Sequence, residues 1–194
     1  MTEFVASSRR NVLVGAGKTL TIAGLGAFIG ACASEVAHTE ARAQPTGQDV
    51  ELLNAAIALE HEGIAAYTIA AGSGLLQPAV VQVGVTFRGH HMAHRDALMG
   101  AVRSLGGTPA EPRSEADYIE ALGVASLRDQ ADVLRLALRL ERGAANAYLS
   151  LIPSLGVDYH QVAARMAGDE AFHVAILANA LGEPIPAEGL MFGG

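Results

Sequence analysis

The chain has 194 residues, 51 % of them hydrophobic, which is enough for one compact core behind an N-terminal segment. Its net charge is −7, and beyond residue 43 seventeen acids stand against nine Arg and no Lys, which excludes the clustered positive charge of a nucleic-acid surface. The single cysteine, Cys32, lies in the N-terminal segment, so a domain behind it holds no disulfide and no thiolate site, and any metal must be bound by carboxylate and imidazole.

Residues 1–43 read as an export leader and are set apart from the fold. Ser8-Arg9-Arg10-Asn11-Val12-Leu13 resembles a twin-arginine signal, and Leu20 to Ala33 is a weakly hydrophobic run rich in Gly and Ala. That run is shorter than the roughly 20 apolar residues a membrane span needs. Two cleavage sites fit. Ile29-Gly30-Ala31 before Cys32 resembles a lipobox, which would leave a lipidated cysteine and membrane attachment. Ala41-Arg42-Ala43 suits ordinary signal peptidase and a free product. Either route places residues 44–194 in the periplasm or cell envelope.

Behind the leader the Ala, Leu, Glu and Arg usage favours helix, no segment alternates long enough for a sheet, and the fold class is all-α. Helix one is predicted from just after Thr46, whose spacing to Asp49 suits a capping box, to about Gly72. Helix two is predicted from about Pro78 to Gly106-Gly107. Residues 107–125 form a crossover, with a turn or two of helix around Tyr118 to Leu122. Ser126 with Asp129 opens helix three, which runs to about Ser150. Helix four runs from near Asp158 to Leu181-Gly182, and Glu183 to Gly194 is irregular. Short links make each pair an antiparallel hairpin, and a link of about twenty residues, at roughly 3.3 Å each, can cross a bundle.

Helical spacing puts acids and imidazoles on the inward faces. Helix one presents Leu53, Ile57, Glu60, Ile64 and Tyr67; helix three presents Leu134, Leu138, Glu141, Ala145 and Tyr148. Helix two presents Phe87, His91, His94 and Leu98; helix four presents Met166, Glu170, His173 and Leu177. Residues three apart share a face, so His91 with His94, and Glu170 with His173, each aim two donors at one point. The pattern is duplicated: a lone Glu with a Tyr seven residues on, then a pair of ligands on the following helix. Buried carboxylates need a partner or a metal, because their desolvation costs several kcal/mol.

These residues resemble the ferritin-like superfamily, which includes bacterioferritin, rubrerythrin and exported bacterial ferritin-like domains. The resemblance covers about residues 49–182. It implies a four-helix bundle of two hairpins joined by one long crossover. It also implies a di-iron or di-manganese centre held by one Glu from each of two helices and a Glu-x-x-His pair from each of the others. Glu60, Glu141, Glu170 and His173 match that pattern, and His94 matches the remaining His. His91 stands where the family has its second bridging Glu. Ligands Glu60, His91, His94, Glu141, Glu170 and His173 follow, with a weaker second position, because imidazole donates through one nitrogen to one metal. Nothing after helix four resembles the extra short helix of caged ferritins, and the oligomeric state stays open.

Such a centre implies ferroxidase or peroxide-consuming chemistry, with dioxygen or peroxide as co-reactant. A single metal ion or zinc also suits the donors. The competing expectation is a metal-free envelope or stress-related interaction module, in which the histidines are hydrogen-bonded core groups. His90 is expected at the surface or behind a ligand, and His61 and Glu62 on the solvated face. Tyr67 and Tyr148 are expected to pack with their hydroxyls hydrogen-bonded.

Overall fold

A computed structural model describes residues 47–193, and the leader, Cys32 and Thr46 lie outside them. The described residues are helical, with no strand: α1 (Gly47–Gly72), α2 (Pro78–Ser104), α3 (Glu115–Ala121), α4 (Gln130–Leu151) and α5 (Val157–Ala180). None of these helices is long and apolar enough to cross a membrane. Pairing is by hairpin, α1 along α2 and α4 along α5, and the hairpins meet through α1 with α4 and α2 with α5.

Helix limits follow local chemistry. Pro78 opens α2, where its missing N–H costs nothing. Gly106 (φ 76°) and Gly182 (φ 71°) supply the left-handed turns that end α2 and α5. The next amides, Gly107 N and Glu183 N, then return to the Val102 and Ala178 carbonyls at 2.9 and 3.0 Å. Ser114 and Asp117 form a reciprocal capping box on α3. Asp129 alone caps α4, accepting from Asp132 N at 2.9 Å. The expected partnership of Ser126 with Asp129 does not form, because the Ser126 hydroxyl turns back to the Gly123 carbonyl in the preceding turn. The Asp49 carboxylate is buried and accepts from Gly156 N at 2.8 Å, tying the start of α1 to the start of α5, while the box expected with Thr46 lies outside the described residues.

The crossover is pinned to α1. Asn54 accepts from Ala110 N at 2.7 Å and donates to the Thr108 carbonyl at 3.0 Å. His61 donates to the Ala110 carbonyl at 3.1 Å and is buried. The solvated face expected for His61 is therefore wrong, because the crossover folds back over that face of α1.

Two apolar clusters divide the bundle lengthwise. Leu53, Ile57, Leu98, Val102 and Met166 fill one, and Tyr67, Phe87, Leu134, Leu138, Val174 and Leu177 fill the other. Every residue of the four predicted inward stripes is buried except Ile64, which is half-exposed. Along each stripe the acids and imidazoles lie between the two clusters.

Candidate metal centre

Glu60 on α1, His91 and His94 on α2, Glu141 on α4, and Glu170 and His173 on α5 converge at mid-bundle. Their relative exposures run from 0 % to 7 %, so water does not compensate their charge. Two sets of donors form, each with its ligand atoms within 4.8 Å of one another. One is Glu60, His91, His94 and Glu170; the other is His91, Glu141, Glu170 and His173. His91 and Glu170 belong to both. All six predicted residues are brought together.

The shared residues lie between the halves. His91 Nδ1 is 2.7 Å from Glu60 Oε2, and its Nε2 is 3.2 Å from Glu141 Oε1, so each ring nitrogen addresses a different half. Glu170 Oε1 accepts from His94 Nδ1 at 3.1 Å, and its Oε2 from His173 Nδ1 at 3.2 Å. His173 Nδ1 also lies 3.1 Å from Glu141 Oε2. Among the described residues no buried side-chain polar atom lacks a partner, so the cluster satisfies itself through its own hydrogen bonds.

Burial by itself would lower the imidazole pKa values, but the carboxylates around them prevail. Hydrogen bonds to Glu141 and Glu60 bring His91 up to about 11. Those to Glu170 and Glu60 bring His94 to about 10. Burial pushes Glu60 upward, yet hydrogen bonds from His91 and His94 leave it below the usual carboxylate range, and Glu141 is likewise lowered. Glu170, with no exposed surface, is raised by burial. Hydrogen bonds to Glu141 and Glu170 raise His173 as well, so imidazolium protons offset the buried carboxylates, and a metal cation could take over that role. The donor set of carboxylate and imidazole fits a transition-metal ion.

Several contacts were not legible in the helical pattern. Tyr67 donates to Glu141 and Tyr148 to Glu60, so each tyrosine crosses to the carboxylate of the other half rather than serving the Glu two turns before it. Asp169, outside the expected set, accepts from His94 Nε2 at 3.1 Å. His90, half-buried, shares a 2.9 Å hydrogen bond with His173 Nε2, as expected of a residue behind a ligand. The residue before each shared candidate ligand therefore holds the outer nitrogen of the other half's histidine. Position gave a signal, since both immediately precede His91 and Glu170. Gly63 was also missed: a Cβ there would lie 3.0 Å from two atoms of the His91 ring.

Four helices around a buried set of three carboxylates and three imidazoles define the ferritin-like class. A family model described as a ferritin-like domain matches residues 48–183, and the chain belongs to that family. Among solved structures it is similar to a conserved hypothetical protein, Rv2844, from Mycobacterium tuberculosis. The TM-score is 0.58 at 24 % identity, over 73 % of this chain and 96 % of that one, a likeness of fold. Among curated proteins none matches the chain.

Proposed function

We propose that this ferritin-like domain binds one or two transition-metal ions, iron or manganese, in the bundle centre, and acts there as a ferroxidase or a consumer of peroxide. The observation that carries the reading is the pair of overlapping donor sets sharing His91 and Glu170. Such metals supply one-electron exchange with dioxygen or peroxide. The chain's own residues do the rest. Glu60 and Glu141 neutralise charge, and the Tyr148 and Tyr67 hydroxyls hold their carboxylates in place. Asp169 and His90 fix the His94 and His173 rings, while the flanking apolar clusters limit water. A cleft of about 330 Å³ between α2 and α5, lined by His90, His94, Arg165 and Asp169, offers ions a route to the His94 edge.

The test is metal content after purification, followed by titration with ferrous or manganous ion under exclusion of air. Uptake approaching two ions per chain, and oxygen or peroxide consumption by the loaded protein, are expected. The complete mutual hydrogen bonding of the cluster favours one alternative, a metal-free envelope interaction module. Binding no stronger than that of surface histidines would favour it over the metal reading.

The export reading belongs with this proposal. Arg9 and Arg10 direct the chain through the twin-arginine route, which carries folded cargo and lets the metal load beforehand. Replacing both with Lys should hold the protein in the cytoplasm, and unchanged export would refute the assignment. Anchoring through lipidated Cys32 is read from the mass of the mature N-terminus, and a peptide starting at Gln44 rules it out.

A further inference from the structure

A second cavity lies at the end of the bundle where α1 and α5 finish and α2 and α4 begin. It measures about 230 Å³, and every side chain lining it is aliphatic or aromatic. Leu76 of the α1–α2 link and Leu122 and Leu127 of the crossover contribute to its wall, with Ala66 and Ala137 from the helices. Tyr67 and Phe87 form the side that faces the metal centre. The Phe87 ring stacks on His173 with centroids 3.9 Å apart, and Tyr67 hydrogen-bonds Glu141 and stacks on His91 at 5.6 Å. One ring thickness therefore separates the cavity from candidate ligands.

An apolar cavity of about 150 Å³ is large enough to take benzene. By that ratio this one accommodates about eight to nine carbons. A whole helix, about 10–12 Å across, does not fit inside a space of that volume. The Tyr67 hydroxyl is the one polar side-chain group on the lining residues and is committed to Glu141, so the wall offers nothing to hold an ion or sugar. We propose that this cavity binds the aliphatic tail of a small molecule, about eight to nine carbons long, whose end rests against Phe87 and Tyr67 while its polar head stays in solvent. Contact with a loaded metal centre rests on the metal reading above; tail binding does not.

The test is calorimetric titration of the full metal-free chain with 1-alkanols from butanol to dodecanol. Affinity should rise about fourfold per methylene and level off near eight or nine carbons. Ala137→Leu and, on the α1 wall, Ala66→Leu should each shorten the longest accommodated chain by two or three carbons while leaving Tm equal or higher, because each fills empty apolar space. In protein loaded with cobalt(II), 1-octanol should shift the visible absorption of the parent and leave that of Ala137→Leu unchanged. A chain-length series without a plateau, or one unaltered by both substitutions, would overturn the proposal. So would alkanol binding that vanishes as protein concentration rises, which would assign the face to a second copy. Octanol binding with an unshifted cobalt spectrum would overturn the contact through Phe87. A chain that takes up no cobalt yet titrates with octanol as expected would sink the metal reading and leave tail binding standing.

Discussion

The two hairpins carry the same plan with different donors, and the difference lies where α2 places His91 and α5 places Glu170. Both residues face both donor sets, but a carboxylate offers two equivalent oxygens and an imidazole two nitrogens of which only one is free to bind when neutral. The backbone has adjusted to the larger ring. Gly63, three residues after Glu60, leaves room that a Cβ would take from the His91 ring, whereas α4 has Ala144 three residues after Glu141. The outer supports differ as well, with a carboxylate behind His94 and an imidazole behind His173. The repeat thus sets the geometry, and single-residue departures make the two positions chemically unequal.

Removing Glu170 should have the largest effect, because it serves both positions. Glu170→Ala is expected to weaken both by more than about 100-fold, beyond the 10- to 100-fold typical of losing an outer support. Titration with manganous ion reads this directly, and one position retained at parent affinity would break the shared-ligand geometry. Next comes His91→Glu, which restores a bridging carboxylate. The parent should fill one position tightly and the second weakly, while the variant fills both. Adding Gly63→Ala sharpens this. Alone it should crowd the ring, offsetting the roughly 1 kcal/mol that Gly→Ala gains within a helix, whereas with His91→Glu the crowding should largely vanish, a coupling measurable by a denaturation cycle.

Affinity should also rise with pH. His91 and His94 are raised to about 11 and about 10, so in the metal-free fold both hold protons that a metal must displace. At neutral pH the gain should be about tenfold per pH unit for each proton displaced. The same shifts act oppositely on the metal-free fold. Its imidazole contribution is fully present below about 6.5, the unfolded value, and is lost as pH climbs toward the folded values. Chemical denaturation of metal-free protein between pH 6 and 11 should show that decline, and a stability rising over that window would contradict the charge pattern. The smallest effect should come from the outer supports. Asp169→Asn should weaken the position using His94 by about tenfold, and His90→Ala the one using His173. Equal losses at both positions from either change would erase the crossed support.

Helix period and helix punctuation are local, and the sequence determined what depends on them. Gly72, Pro78, Gly106 and Gly182 mark helix ends within a few residues, and the spacing of Glu60, His91, His94, Glu141, Glu170 and His173 sets all six on inward faces. Other features depend on how far each helix is turned and slid against its neighbours, which no single helix encodes. Tyr67 and Tyr148 reach across halves, and His61 is covered by the crossover. Gly63 matters only because the His91 ring arrives from another helix, and the apolar cavity exists only where four helix ends and two connections fail to fill the space between them. Period decides which face of a helix is buried, while packing decides which atoms meet there.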